Sequence, residues 1–80
     1  MVDGPTAPKG KFMVRHGIHN RTLVSRDSTE PTIHASPEAA RAAFAKAKKY
    51  FARMGYVTWY AYMYDDQGNR TELDRPIPYR

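Results

Sequence analysis

Residues 36–55 read as one helix with both ends written into the sequence. Ser36 is an N-cap whose hydroxyl serves a free backbone N–H, and Pro37 stands at the first helical position, where its missing N–H costs nothing. Glu38 favours the positive end of the helix dipole, and Gly55 supplies the left-handed stop. Between these signals Ala40, Ala43, Phe44, Ala47, Tyr50, Phe51 and Met54 recur at three- and four-residue spacing, which predicts one apolar stripe. Directly after it, YVTWYAYMY at Tyr56–Tyr64 reads as a strand. At ~3.3 Å per residue that strand spans ~30 Å, close to the ~27 Å of the helix at 1.5 Å per residue, so the two can lie side by side. The consequence is architectural. The rest of the chain must supply a sheet for this helix to lie on, and nothing remains to cover the sheet's other face.

The flanking segments fit that demand. Residues 11–16 alternate as a strand, with Phe12 and Val14 on one side and Lys11, Met13 and Arg15 on the other. Residues 17–20 carry turn chemistry, 22–26 (TLVSR) read as the returning strand, 27–31 as a polar loop, and Thr32–His34 as a third short strand. After the long strand, residues 65–69 (DDQGN) form a turn and 70–73 a polar return strand. Residues 1–10 read as a disordered lead-in, and 75–80 (RPIPYR), with two prolines, as an extended tail. The expected fold is a single α+β domain over 11–74. It is an antiparallel sheet of four to five strands with one helix packed across one face, in the order β-β-(β)-α-β-β. That order resembles small sheet-plus-helix nucleic-acid modules, such as double-stranded-RNA-binding domains and integrase arm domains, in element order alone.

Charge narrows the choice of partner. Residues 39–64 hold five basic side chains, Arg41, Lys46, Lys48, Lys49 and Arg53, and no carboxylate, so this window supplies the whole net charge of +5. No acid at i,i+4 offsets any of the five, and alanines at 42, 45 and 52 leave the helix's outer face smooth. A field concentrated in this way selects acidic partners, either nucleic acid or an acidic protein surface. The N-terminal residues lack an apolar core of the signal-peptide kind, and no apolar run approaches the ~20 residues that span a bilayer, which places the chain in the cytoplasm and away from membranes. With no cysteine there are no disulfides or thiolate ligands, and 80 residues must hold together on a thin core.

The long strand divides into two faces. Strict alternation puts Val57, Trp59, Ala61 and Met63 on the helix, Trp59 beneath Phe44 and Phe51, and leaves Tyr56, Thr58, Tyr60, Tyr62 and Tyr64 on the open side. Rows of aromatic rings on an open sheet stack unpaired bases, and the same rings suit protein interfaces or pair with their own cross-strand neighbours. The helix's outer face and this tyrosine face point in opposite directions, so one flat ligand cannot touch both.

Catalytic, cofactor and metal sites are not expected. His16, His19 and His34 lack a fourth ligand at convincing spacing for zinc. Asp65, Asp66, Asn69 and Glu72 do not match a calcium loop, since Gly68 is misplaced and the closing carboxylate comes too soon; a hairpin turn accounts for them. Ser25, Ser28 and Ser36 stand in no nucleophile elbow. The reading is a small non-catalytic binding module that docks on nucleic acid through Arg41, Lys46, Lys48, Lys49 and Arg53, through Tyr60, Tyr62 and Tyr64, or through both. Its alternative is an accessory regulator or inhibitor that occupies the acidic or nucleic-acid-binding surface of a larger complex, with a homodimer through the open face as a further option.

Overall fold

The computed structural model describes residues 6–20 and 25–74. Along the chain run β1 (Phe12–Asn20), β2 (Ser25–Ser28), β3 (Thr32–His34), α1 (Pro37–Arg53), β4 (Tyr56–Tyr64) and β5 (Arg70–Asp74). All pairings are antiparallel, and the strand order is β2-β1-β4-β5 with β3 also on β1. β2 lies against residues 17–20 of β1 and β3 against residues 12–14, so the two short strands share one edge. Pro31, which has no N–H, falls in the gap between them. Thr29 bridges it instead, donating its N–H and its hydroxyl to the His16 carbonyl, each at 2.9 Å. The smallest dimension of the molecule is 18 Å, the thickness of one sheet and one helix. This is the α+β two-layer domain that the sequence implies.

The helix begins and ends where its signals lie. The Ala39 N–H donates to Ser36 Oγ at 3.1 Å, and Gly55 takes a φ of 89° as the chain turns out of the last turn. Its inner face buries Ala40 and Phe44, which join Val14, Ala61 and Met63 in the core, with Phe12 and Leu73 packed on the margin. Tyr50 and Met54, expected in the apolar stripe, are instead 61% and 53% exposed. A helix resting on a sheet touches it along a band only about 100° wide, and Ala40, Phe44, Ala47 and Phe51 fill that band. Tyr50 and Met54 fall on its flank.

Several strand expectations are corrected. Residues 17–20, read as a turn, continue β1 as a strand. The returning strand is Ser25–Ser28, so Asp27 and Ser28 are paired rather than looped, while residues 22–24 of the expected strand lie outside the described residues. The largest correction concerns the phase of β4. Gly17 pairs with Tyr60 and the next residue, Ile18, pairs with Thr58, which leaves Trp59 as an extra residue in a β-bulge. Ala61 and Met63 face the helix as expected. Below the bulge the faces exchange: Thr58 and Tyr56 turn toward α1, while Trp59 and Val57 do not. Trp59 is therefore not the core residue that strict alternation makes it.

The place under Phe44 and Phe51 belongs to His16. Its ring stands edge-on to Phe44 at 5.0 Å and to Phe51 at 5.8 Å, and the residue is 4% exposed. A second bulge lies on β5 opposite Ala61 and Tyr62: Ala61 pairs with Asp74 and Tyr62 with Glu72, leaving Leu73 as the extra residue, which packs onto the core. Residues 6–10 run beside the β4–β5 turn: Ala7 is buried and donates its N–H to the Asp65 carbonyl at 3.0 Å, and the Gly10 N–H reaches Asp66 Oδ2 at 2.8 Å. This part of the lead-in is packed rather than free. Residues 1–5 and the tail at 75–80 lie outside the described residues.

Candidate nucleic-acid interface

The face of the sheet away from α1 gathers aromatic and cationic groups along β4 and its neighbours. Cross-strand pairing sets Arg15 opposite Tyr62 and Gly17 opposite Tyr60, while Arg70 pairs with Tyr64 and Glu72 with Tyr62 on the other flank. Arg15, Trp59, Tyr60, Tyr62 and Tyr64 together line a hollow of about 280 Å³. That is slightly below the roughly 300–1,000 Å³ of small-molecule sites, and it suits a planar ring better than a whole cofactor.

Each ring is held by its neighbours. The Tyr60 and Tyr62 rings stack at 5.7 Å with 23° between their planes, and Tyr64 continues the row at 6.5 Å. Trp59 meets Tyr60 edge-on at 4.8 Å. Tyr60 leans across β1, over Gly17, until its hydroxyl lies 2.9 Å from Ser28 Oγ on β2. The Arg70 guanidinium carbon sits 4.5 Å from the centre of the Tyr62 ring, a cation–π contact. Trp59 was missed by alternation. Only the register against β1, which steps from Gly17–Tyr60 to Ile18–Thr58, reveals the bulge that delivers it to this face.

The basic residues of α1 form a separate surface on the far side. Lys46, Lys49 and Arg53 recur at three- and four-residue spacing opposite the buried band, and all three are exposed, as is Arg41. Lys48 differs. Its ammonium donates to Asp74 Oδ2 at 2.6 Å, tying the helix to β5 and using one of the five charges within the fold. The structure thus brings Tyr60, Tyr62 and Tyr64 together with Arg15, Trp59 and Arg70. It keeps Arg41, Lys46, Lys49 and Arg53 apart from them.

The histidines do not converge. His16 points to the helix side, where its Nε2 lies 3.2 Å from Thr58 Oγ1, and burial among apolar groups lowers its pKa below the usual histidine value, with the Asp74 charge opposing and the Lys48 charge assisting. His19 pairs with Val57 on the opposite face, and His34 Nε2 lies 2.7 Å from Thr32 Oγ1 at the sheet edge. The oxygen-rich turn is organised by its own backbone. Asp65 accepts from the N–H groups of Gln67 and Asn69 at 2.9 and 2.8 Å and from the Asn69 amide at 3.0 Å, which holds its carboxyl below the usual carboxylate range.

Fold and face together define a two-layer α+β domain with one aromatic sheet surface that no described element covers and one basic helix surface. The chain matches no family model, no curated protein and no solved structure. No helix among the described residues is long and apolar enough to cross a membrane.

Proposed function

We propose that this domain is a non-catalytic nucleic-acid-binding module that docks through its open sheet face, with the basic helix contributing a long-range attractive field. One observation carries the reading: Trp59, Tyr60, Tyr62 and Tyr64 share with Arg15 and Arg70 a face that no described element covers. Aromatic rings supply stacking surfaces for bases, and guanidinium groups beside them supply charge for phosphates. Lys46, Lys49 and Arg53 lie too far round the molecule to share one flat ligand with that face. Their contribution is to draw a polyanion in and to raise its encounter rate.

The test is direct. Labelled single- and double-stranded oligonucleotides titrated at two salt concentrations should bind with log K falling by about 0.7–0.9 per phosphate contacted for each tenfold rise in salt. Undetectable binding of both forms at low salt removes the nucleic-acid reading.

A second reading has its own observation in favour. Tyr50 and Met54 stand exposed on α1 next to the basic stripe, and an aromatic, a methionine and cations in one patch suit an acidic protein surface. The domain would then act as an accessory regulator or inhibitor of a larger complex. Reversing Lys46, Lys49 and Arg53 to Glu separates the two, since it abolishes docking through the helix and leaves the sheet face chemically unchanged.

A further inference from the structure

Taking the sheet face as the nucleic-acid surface, on which this rests, we infer that the ligand is single-stranded and that the face takes about three nucleotides laid along β4, one base to each of the rings at positions 60, 62 and 64. Ring centres 5.7 and 6.5 Å apart form a ladder along one strand. Sheet aromatics arranged in this way stack two or three bases, and only unpaired bases have faces free to stack. A duplex presents phosphates instead. Among the described residues the open face sets only Arg15 and Arg70 beside the tyrosine row, with Glu72 between the same strands, so what flanks the rings there favours stacking over a long run of phosphate contacts.

The platform is organised before any ligand arrives. Tyr60 is fixed by Ser28 and by the space over Gly17, and Trp59 backs it edge-on. Tyr62 is covered on one face by the Arg70 guanidinium. A base that stacks there displaces the guanidinium sideways, where the neighbouring phosphate takes it up. Arg15, directly across from Tyr62 on β1, serves the other side of the same nucleotide.

Trp59 is the sole tryptophan of the chain and lies in this hollow, so its fluorescence reports on the sheet face and not on the helix. Thymidine oligomers two, four, eight and twelve nucleotides long, and a DNA hairpin duplex, are titrated against the intact protein at low salt. The single strands should quench Trp59, with affinity climbing steeply to about three or four nucleotides and thereafter only with the number of available registers. The duplex should leave the emission unchanged. Tyr62→Ala should weaken the eight-mer by about 5- to 150-fold, whereas Tyr62→Phe, which keeps the ring, should bind as the parent does. Circular dichroism shows whether Tyr62→Ala is folded, and Tyr64→Ala at the exposed end of the row takes its place if it is not. Duplex binding as tight as single-strand binding, without quenching, overturns the inference but leaves nucleic-acid binding standing on the helix face. A folded alanine variant with parent affinity overturns it as well. Failure of every oligonucleotide to bind removes this inference and the broader reading together.

Discussion

Gly17 stands in mid-strand with the Tyr60 ring over its α-carbon and the Trp59 indole nitrogen 2.5 Å from where a β-carbon would lie. Any side chain there must push both rings away, so Gly17→Ala should cost about 1–3 kcal/mol in thermal or urea unfolding and shift the Trp59 emission. The bulge makes a companion prediction. Phe44→Ala, which empties the core, should cost about 3–5 kcal/mol, and Trp59→Ala clearly less, because Trp59 packs on a surface rather than under the helix. Equal losses in paired melts would return Trp59 to the core. His16 adds a pH dependence. Its folded pKa lies below the ordinary value near 6.5, so the unfolded chain takes up the proton first as pH falls. The stability that neutral His16 contributes is full above about pH 6.5 and is lost as pH drops from there through the folded value. Melts of the parent and of His16→Leu between pH 5 and 8 should show the parent losing stability over that window with a slope that the variant lacks.

At the scale of elements, α1 is held by a cap at one end and by a tether along its side. Ser36→Ala removes the acceptor for the Ala39 N–H and should lower stability by about 1 kcal/mol, measured by urea denaturation. The Lys48–Asp74 bridge is a surface pair, with the lysine side chain half exposed, so Lys48→Met should change stability by at most about 1 kcal/mol, and by less as salt is added. In β4 the bulge does more than redirect one side chain. By exchanging the faces below Tyr60 it lets Thr58 meet His16 on the helix side while Trp59 extends the aromatic row on the other. A strictly regular strand could not place five consecutive aromatic and small residues that way.

The whole molecule is a slab with two unlike surfaces, aromatic on the sheet and cationic on the helix. Their separation makes them testable one at a time. Lys46→Glu, Lys49→Glu and Arg53→Glu combined should leave the fold intact, each exposed change staying within about 0.5 kcal/mol in a thermal melt. The triple variant should slow oligonucleotide association and flatten its salt dependence while still quenching Trp59. Loss of quenching would move the binding surface to the helix. What the chain alone determined is what short-range chemistry controls: the helix between Ser36 and Gly55, the turn at 65–69, and, from having one helix for one sheet, a face turned away from the helix that carries Tyr60, Tyr62 and Tyr64. His16 follows Phe12 and Val14 at intervals of two, which signals the same face, but its burial under Phe44 and Phe51, the place expected for Trp59, emerged only in the tertiary structure. The bulge at Trp59, the run of β1 through Gly17 and the capture of Lys48 by Asp74 were settled only in the tertiary structure. Register and long-range ion pairs belong to two segments at once, and neither segment's own sequence states which residue of the other it will meet.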